Sequence, residues 1–274
     1  MKKNLLVSLS IAAVVAATSA TAFGAFSAAG TGISGSRHDI NQFAVDGGVA
    51  GVSKDSQERV CAFCHTPHHA FTSDMTGAAT ADYLPLWSHE LTSKSYQGYA
   101  SDTLNAVIGD PLLGPSRLCM SCHDGVIAID THYSNLGTKK DGAQLVGDNF
   151  STDAAQSGAV GAGTSLAGDH PIGFDYIAAQ AADQAAGGGL AAGIKTADNF
   201  FRGANGTFRT IKIQDALFGA GGGAKTMMTC ATCHDVHNKD NVVQLKADGS
   251  PMGVNYFLLG AQSGSQICLS CHNK

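Results

Sequence analysis

The chain of 274 residues has 17 basic and 22 acidic side chains and a net charge of −5 with neutral histidines. It offers no basic footprint for nucleic acid, and its acidic balance disfavours adhesion to anionic lipid. Charged residues make up 14% of it and glycines number 34, where ordinary domains carry roughly 25% charged residues and roughly 7% glycine, so an ordinary large core is not expected.

Lys2 and Lys3, the apolar run 5–17 and the small residues after it have the form of a secretory signal peptide over 1–25. Cleavage is expected between 20 and 25, with Ala20-Thr21-Ala22 the best site. The run is too short for a membrane anchor and breaks into Thr18, Ser19 and Thr21. No cysteine before Cys61 is placed to carry a lipid, and no later stretch is long and apolar enough to span a bilayer. Residues 26–274 are therefore expected outside the cytoplasm, as one domain with no membrane insertion.

A glycine- and serine-rich arm carries His38 and leads to Cys61-Ala62-Phe63-Cys64-His65, the first of four Cys-x-x-Cys-His runs. The others are Cys119-Met120-Ser121-Cys122-His123, Cys230-Ala231-Thr232-Cys233-His234 and Cys268-Leu269-Ser270-Cys271-His272, and together they use all eight cysteines. This is the attachment pattern of haem c. Residues three and four apart share one face of a helical turn, so two thiols can form thioethers on one porphyrin edge while the histidine binds the iron as proximal ligand. Paired Cys-x-x-Cys knuckles also build zinc sites, and eight cysteines could form a disulfide framework. Neither chemistry needs a histidine directly after the second cysteine. Four covalent haems are expected, with proximal ligands His65, His123, His234 and His272.

Between the motifs, Pro67 disfavours helical geometry at Thr66, so the first turn should end near His65. His68 should then point away from its own haem towards a neighbouring iron. Trp87, the one tryptophan, is expected to pack on a porphyrin face, and His89 follows it closely. A Gly/Ala-rich insert over about 142–223 is read as low complexity, with a short helix over 178–186 and His170 presented from a loop before Pro171. The motifs begin at 61, 119, 230 and 268, too unevenly for a tandem repeat.

Eleven histidines leave seven beyond the proximal four, enough for two axial histidines at every iron. The expected distal ligands are His38, His68, His170 and His237, with His89 in reserve and His69 and His132 read as surface residues. Methionine, the rival sixth ligand, is not needed. The expected fold is mostly irregular coil with short α-helices, little β structure and a core dominated by haem.

The succession His38-Asp39-Ile40, the first motif with Thr66-Pro67-His68, Leu86-Trp87-Ser88-His89, the second motif with Asp124-Gly125, Asp169-His170-Pro171, the third motif with Asp235-Val236-His237, and the terminal fourth motif resembles the OmcE/OmcS family of secreted multihaem cytochromes c, its tetrahaem members above all. The resemblance spans about 38–272, and the long insert departs from the compact form of the pattern. It implies extracellular electron transfer by subunits that polymerise into conductive nanowires. One haem of each subunit takes its distal histidine from the next, a role that falls by position to His38. It further implies secretion to the cell surface or beyond, with redox partners at the outer membrane or among extracellular acceptors. A monomeric periplasmic electron carrier is the alternative. A multihaem reductase requires an open iron, which the supply of histidines argues against, so no catalytic residue is expected.

Overall fold

A computed structural model describes residues 26–42, 52–68, 85–89, 91–92, 94–125, 127, 129–130, 132–133, 139–141, 159–161, 165–188, 193–219 and 222–273. The expected signal peptide and His69 lie outside the described residues.

Long irregular segments join short elements. Helix α1, Pro115–His123, opens with proline at its first turn, where a missing N–H costs nothing. Gly114 precedes it at φ 53°, and a Cβ there would fall 2.5 Å from the Phe218 ring, so only glycine fits the turn. Helix α2, Tyr176–Asp183, is capped by the Asp175 carboxylate, which accepts from the Ala178 amide at 2.9 Å. It runs into a wide turn, Gln184–Gly188, where the glycine run begins. Three further helices are very short: α3, Ile213–Ala216, α4, Cys230–Cys233, and α5, Gln266–Cys271.

Among the described residues, six short strands form three two-stranded antiparallel sheets. β1, His132–Tyr133, pairs with β2, Lys139–Asp141; β3, Phe174–Asp175, pairs with β6, Met227–Met228; and β4, Phe200–Arg202, pairs with β5, Phe208–Lys212. The chain is thus mostly coil with short helices and little sheet, as composition suggests. Among the described residues no helix is long and apolar enough to cross a membrane.

The insert departs from its low-complexity reading. Phe174, Tyr176, Ala179, Ala197, Ile213 and Leu217 fall within it and close with Met228 into a buried apolar cluster. Its helix also starts at Tyr176 instead of 178 and gives way after Asp183. Apolar residues are sparse there, but those of the cluster are buried, beside the β3–β6 pairing and Gly173, whose φ of 78° and a would-be Cβ contact of 2.2 Å to the Asp110 carbonyl admit no side chain. A second cluster gathers Tyr96, Leu112, Met120 and Leu166 and so packs α1 through Met120 of the second motif.

Candidate haem-binding site

Each Cys-x-x-Cys-His run forms one helical turn. The histidine amide reaches the carbonyl of the first cysteine at 2.8 Å for His65, 3.1 Å for His234 and 2.9 Å for His272, and the second motif closes α1. Both thiols and the imidazole of a motif thus leave the turn on neighbouring positions, as the spacing anticipates.

Three motifs share a backbone clamp. His65 bridges antiparallel to Trp87, His234 to Leu258 and His272 to Ile194. In each, the residue after the histidine donates to the carbonyl before the bridging residue: Thr66 to Leu86 at 2.7 Å, Asp235 to Phe257 at 2.8 Å, Asn273 to Gly193 at 2.9 Å. The amide after the bridging residue returns a bond to the second cysteine: Ser88 to Cys64 at 3.0 Å, Leu259 to Cys233 at 2.9 Å, Lys195 to Cys271 at 2.8 Å. The first and third copies agree further. Leu86 and Phe257 both adopt positive φ, 55° and 57°. His65 Nδ1 faces the Pro85 carbonyl at 2.6 Å and His234 Nδ1 the Tyr256 carbonyl at 2.8 Å. A carbonyl can only accept, so Nδ1 carries the proton and Nε2 keeps its lone pair for a metal.

The distal candidates distribute unequally. His237 stands opposite His65 with ring centres 6.4 Å apart, His38 opposite His123 at 6.3 Å, and His170 opposite His272 at 6.4 Å. With a metal–nitrogen bond of about 2 Å on each side and roughly 1 Å from nitrogen to ring centre, two imidazoles on opposite sides of one iron sit about 6 Å apart. The three pairs match that spacing. His38 Nδ1 faces the Val236 carbonyl at 3.2 Å and His170 Nδ1 the Pro171 carbonyl at 3.0 Å, which again leaves Nε2 to the metal. His68 is exposed, and among the described residues no imidazole faces His234 at the same spacing. His89 is fully buried.

The expectation for His132 changes, and the structure gives a setting to His38. Its ring stacks on Phe257 at 4.2 Å and faces His123 of its own chain. Burial first, then the neighbouring His123, pulls its pKa down to about 4, which keeps it neutral and able to ligate. His132 is not a surface residue but fully buried, with Nε2 2.8 Å from the Asp55 carboxylate and Nδ1 3.0 Å from the Asp130 carbonyl. Both nitrogens are engaged by protein oxygens, so the ring is not open to a metal. It supports the first motif instead, packing on Phe63 at 4.5 Å. Trp87 is buried and meets His65 edge-on at 6.0 Å.

The thiols of successive motifs influence one another electrostatically. Cys64 is pushed up to about 12 by burial, with Cys122 adding to the shift. Cys119 is raised first by its hydrogen bond with Cys230. Cys233 is pushed up to about 12 by burial, with Cys271 next in effect. The Ser116 hydroxyl, at the head of α1, accepts from the Cys230 amide at 3.1 Å and ties the second motif to the third. All eight cysteines are unpaired, and among the described residues no three His, Cys, Asp or Glu side chains converge as a metal held by protein alone requires. The donor set therefore fits a group that brings its own equatorial ligands and needs two axial histidines, which is haem. Sequence reasoning missed the clamp segments around Ile194 and Leu258, because backbone carbonyls leave no side-chain signature. The chain matches no family model, and no curated protein or solved structure shows significant similarity to it.

Proposed function

We propose that this chain is a tetrahaem c-type cytochrome that carries electrons and assembles head to tail into an extracellular filament. Haem c supplies one-electron iron chemistry when bound. The protein's part is to fix four such groups in a row and to close each iron with a second histidine. The observation that carries the reading is the pairing of His65, His123 and His272 with remote imidazoles at 6.4, 6.3 and 6.4 Å. The hydrogen bond between Cys119 and Cys230, and the Ser116 hydroxyl that accepts from the Cys230 amide at 3.1 Å, bring the second and third motifs together, which supports electron passage between them.

The assembly half of the reading passes from His38 to His68. His38 faces His123 of its own chain and His89 is buried, which favours another residue as the ligand passed between subunits. The first and third motifs share one clamp and one His-x-x-His spacing. His237, the trailing histidine of the third, serves the first. By equivalence His68, the trailing histidine of the first, suits a third-type site, and His234 is the motif histidine lacking a partner among the described residues. Supplied from a neighbouring copy, that ligand makes a head-to-tail contact that propagates as an open filament.

Production in a host that matures c-type haem tests the first half. The expected result is four haems per chain, all low-spin. Zinc in place of iron, or fewer covalent haems than motifs, would overturn it. Electron microscopy of the secreted protein tests the second half, with filaments expected and monodisperse single particles against it.

A further inference from the structure

We infer that Asn238 is a positioning residue that couples two axial-ligand sites, holding His38 opposite His123 and His237 opposite His65 through one buried side chain. This rests on the haem reading proposed above.

Asn238 is fully buried and sits at φ 56°, a left-handed conformation that asparagine tolerates better than most residues. Its side-chain carbonyl accepts from the Gly30 amide at 3.1 Å, from Asn241 Nδ2 at 3.0 Å and from Asn255 Nδ2 at 2.9 Å. Its Nδ2 donates to the carbonyls of Ala28 at 3.1 Å and Gly32 at 3.0 Å. Its own backbone carbonyl accepts from the Gly32 amide at 3.1 Å. One residue therefore pins the arm at positions 28, 30 and 32, and the arm carries His38.

The same residue closes the loop that presents His237. Its side-chain carbonyl holds Asn241, whose Nδ2 also donates to the Asp235 carbonyl at 2.9 Å, and its backbone amide donates to that same carbonyl at 3.1 Å. The Asp235 carboxylate accepts from the amides of His237 at 3.0 Å, Lys239 at 2.8 Å and Asp240 at 2.9 Å. Asn255, bonded to Asn238, also receives the Phe257 amide at 2.8 Å, and Phe257 is the ring on which His38 stacks. His38 itself faces the carbonyl of Val236, next to His237. Two ligands aimed at two different motif histidines are thus referenced to one amide group. A buried amide stripped of such partners costs about 1–3 kcal/mol for each group left unsatisfied, so the arm and the loop hold or loosen together.

Asn238→Gly tests this, because glycine keeps the left-handed backbone and deletes only the amide. The full haem-loaded protein is compared with wild type by paramagnetic resonance and by limited proteolysis of segment 26–42. The expected result is that two of the four haems lose their low-spin signature together, with the N-terminal segment cleaved at least about tenfold faster. Phe257→Leu, which keeps these backbone bonds and removes only the ring stacked on His38, should change one haem. A change at only one haem in Asn238→Gly, or an unchanged spectrum and cleavage rate, overturns the coupling. A wild-type protein without four low-spin haems overturns the haem reading instead. Release of the arm in Asn238→Gly would in that case still establish the hub.

Discussion

The rings of His65 and His237 lie parallel to within 5°, their centres 6.4 Å apart. One comes from the first motif and the other from three residues beyond the third, so two distant stretches of chain meet at one prospective iron. His237→Ala should therefore affect a single haem. The variant is expected to keep four covalent haems, because its thiols are intact, while one turns high-spin and binds carbon monoxide when reduced. Full low-spin character in the variant would show that another residue serves the His65 iron.

What was legible in the sequence follows from where chemistry dictates spacing. The Cys-x-x-Cys-His interval is a local pattern, and the helical turn it implies is present in each motif. Counting narrowed the distal set, and His38, His170 and His237 do stand opposite motif histidines. The pairings themselves depend on tertiary contacts that leave no local pattern. The insert misled for a different reason. Its glycines and alanines dominate composition, while the few residues that build its cluster, such as Tyr176 and Ile213, are too widely spaced to register as periodic.

That cluster makes a prediction about stability. Ile213 is completely buried in it, so Ile213→Ala should cost about 2–5 kcal/mol, the range for truncating a packed aliphatic side chain. Chemical unfolding of the haem-loaded protein, together with the rate of proteolysis within 165–219, measures it. An effect well below that range would mean that haem contacts, and not this cluster, hold the insert in place.

Asp55 sets the acid limit of the first motif's support. Burial alone would raise its pKa. Hydrogen bonds from the Arg59 side chain and backbone, from His132 and from the Gln57 amide more than reverse this, and hold the carboxyl well below the usual carboxylate range. The folded value lies below the unfolded one, so the stabilisation is full above about pH 4 and disappears as pH falls through the folded value. Asp55→Asn removes it. At neutral pH the loss should be about 3 kcal/mol, the low end for breaking a buried pair, because Arg59 reaches solvent. In unfolding curves taken at descending pH, variant and wild type should converge only in strong acid. Convergence already near neutrality would assign the difference to some other group.

His68 separates assembly from electron transfer. It is exposed and follows Pro67, and its backbone carbonyl accepts from the Thr66 hydroxyl. Its own motif histidine is already faced by His237. If it closes the His234 iron of the next subunit, His68→Ala should still be secreted with four haems, yet sediment as a monomer or short oligomer. One haem, that of the third motif, should then become high-spin. Adding free imidazole at millimolar concentration should restore the low-spin spectrum without restoring filaments, because it replaces the ligand and not the link between subunits. Filaments of normal length in the variant, with every haem low-spin, would remove His68 from the interface and leave the single-subunit electron carrier as the better account.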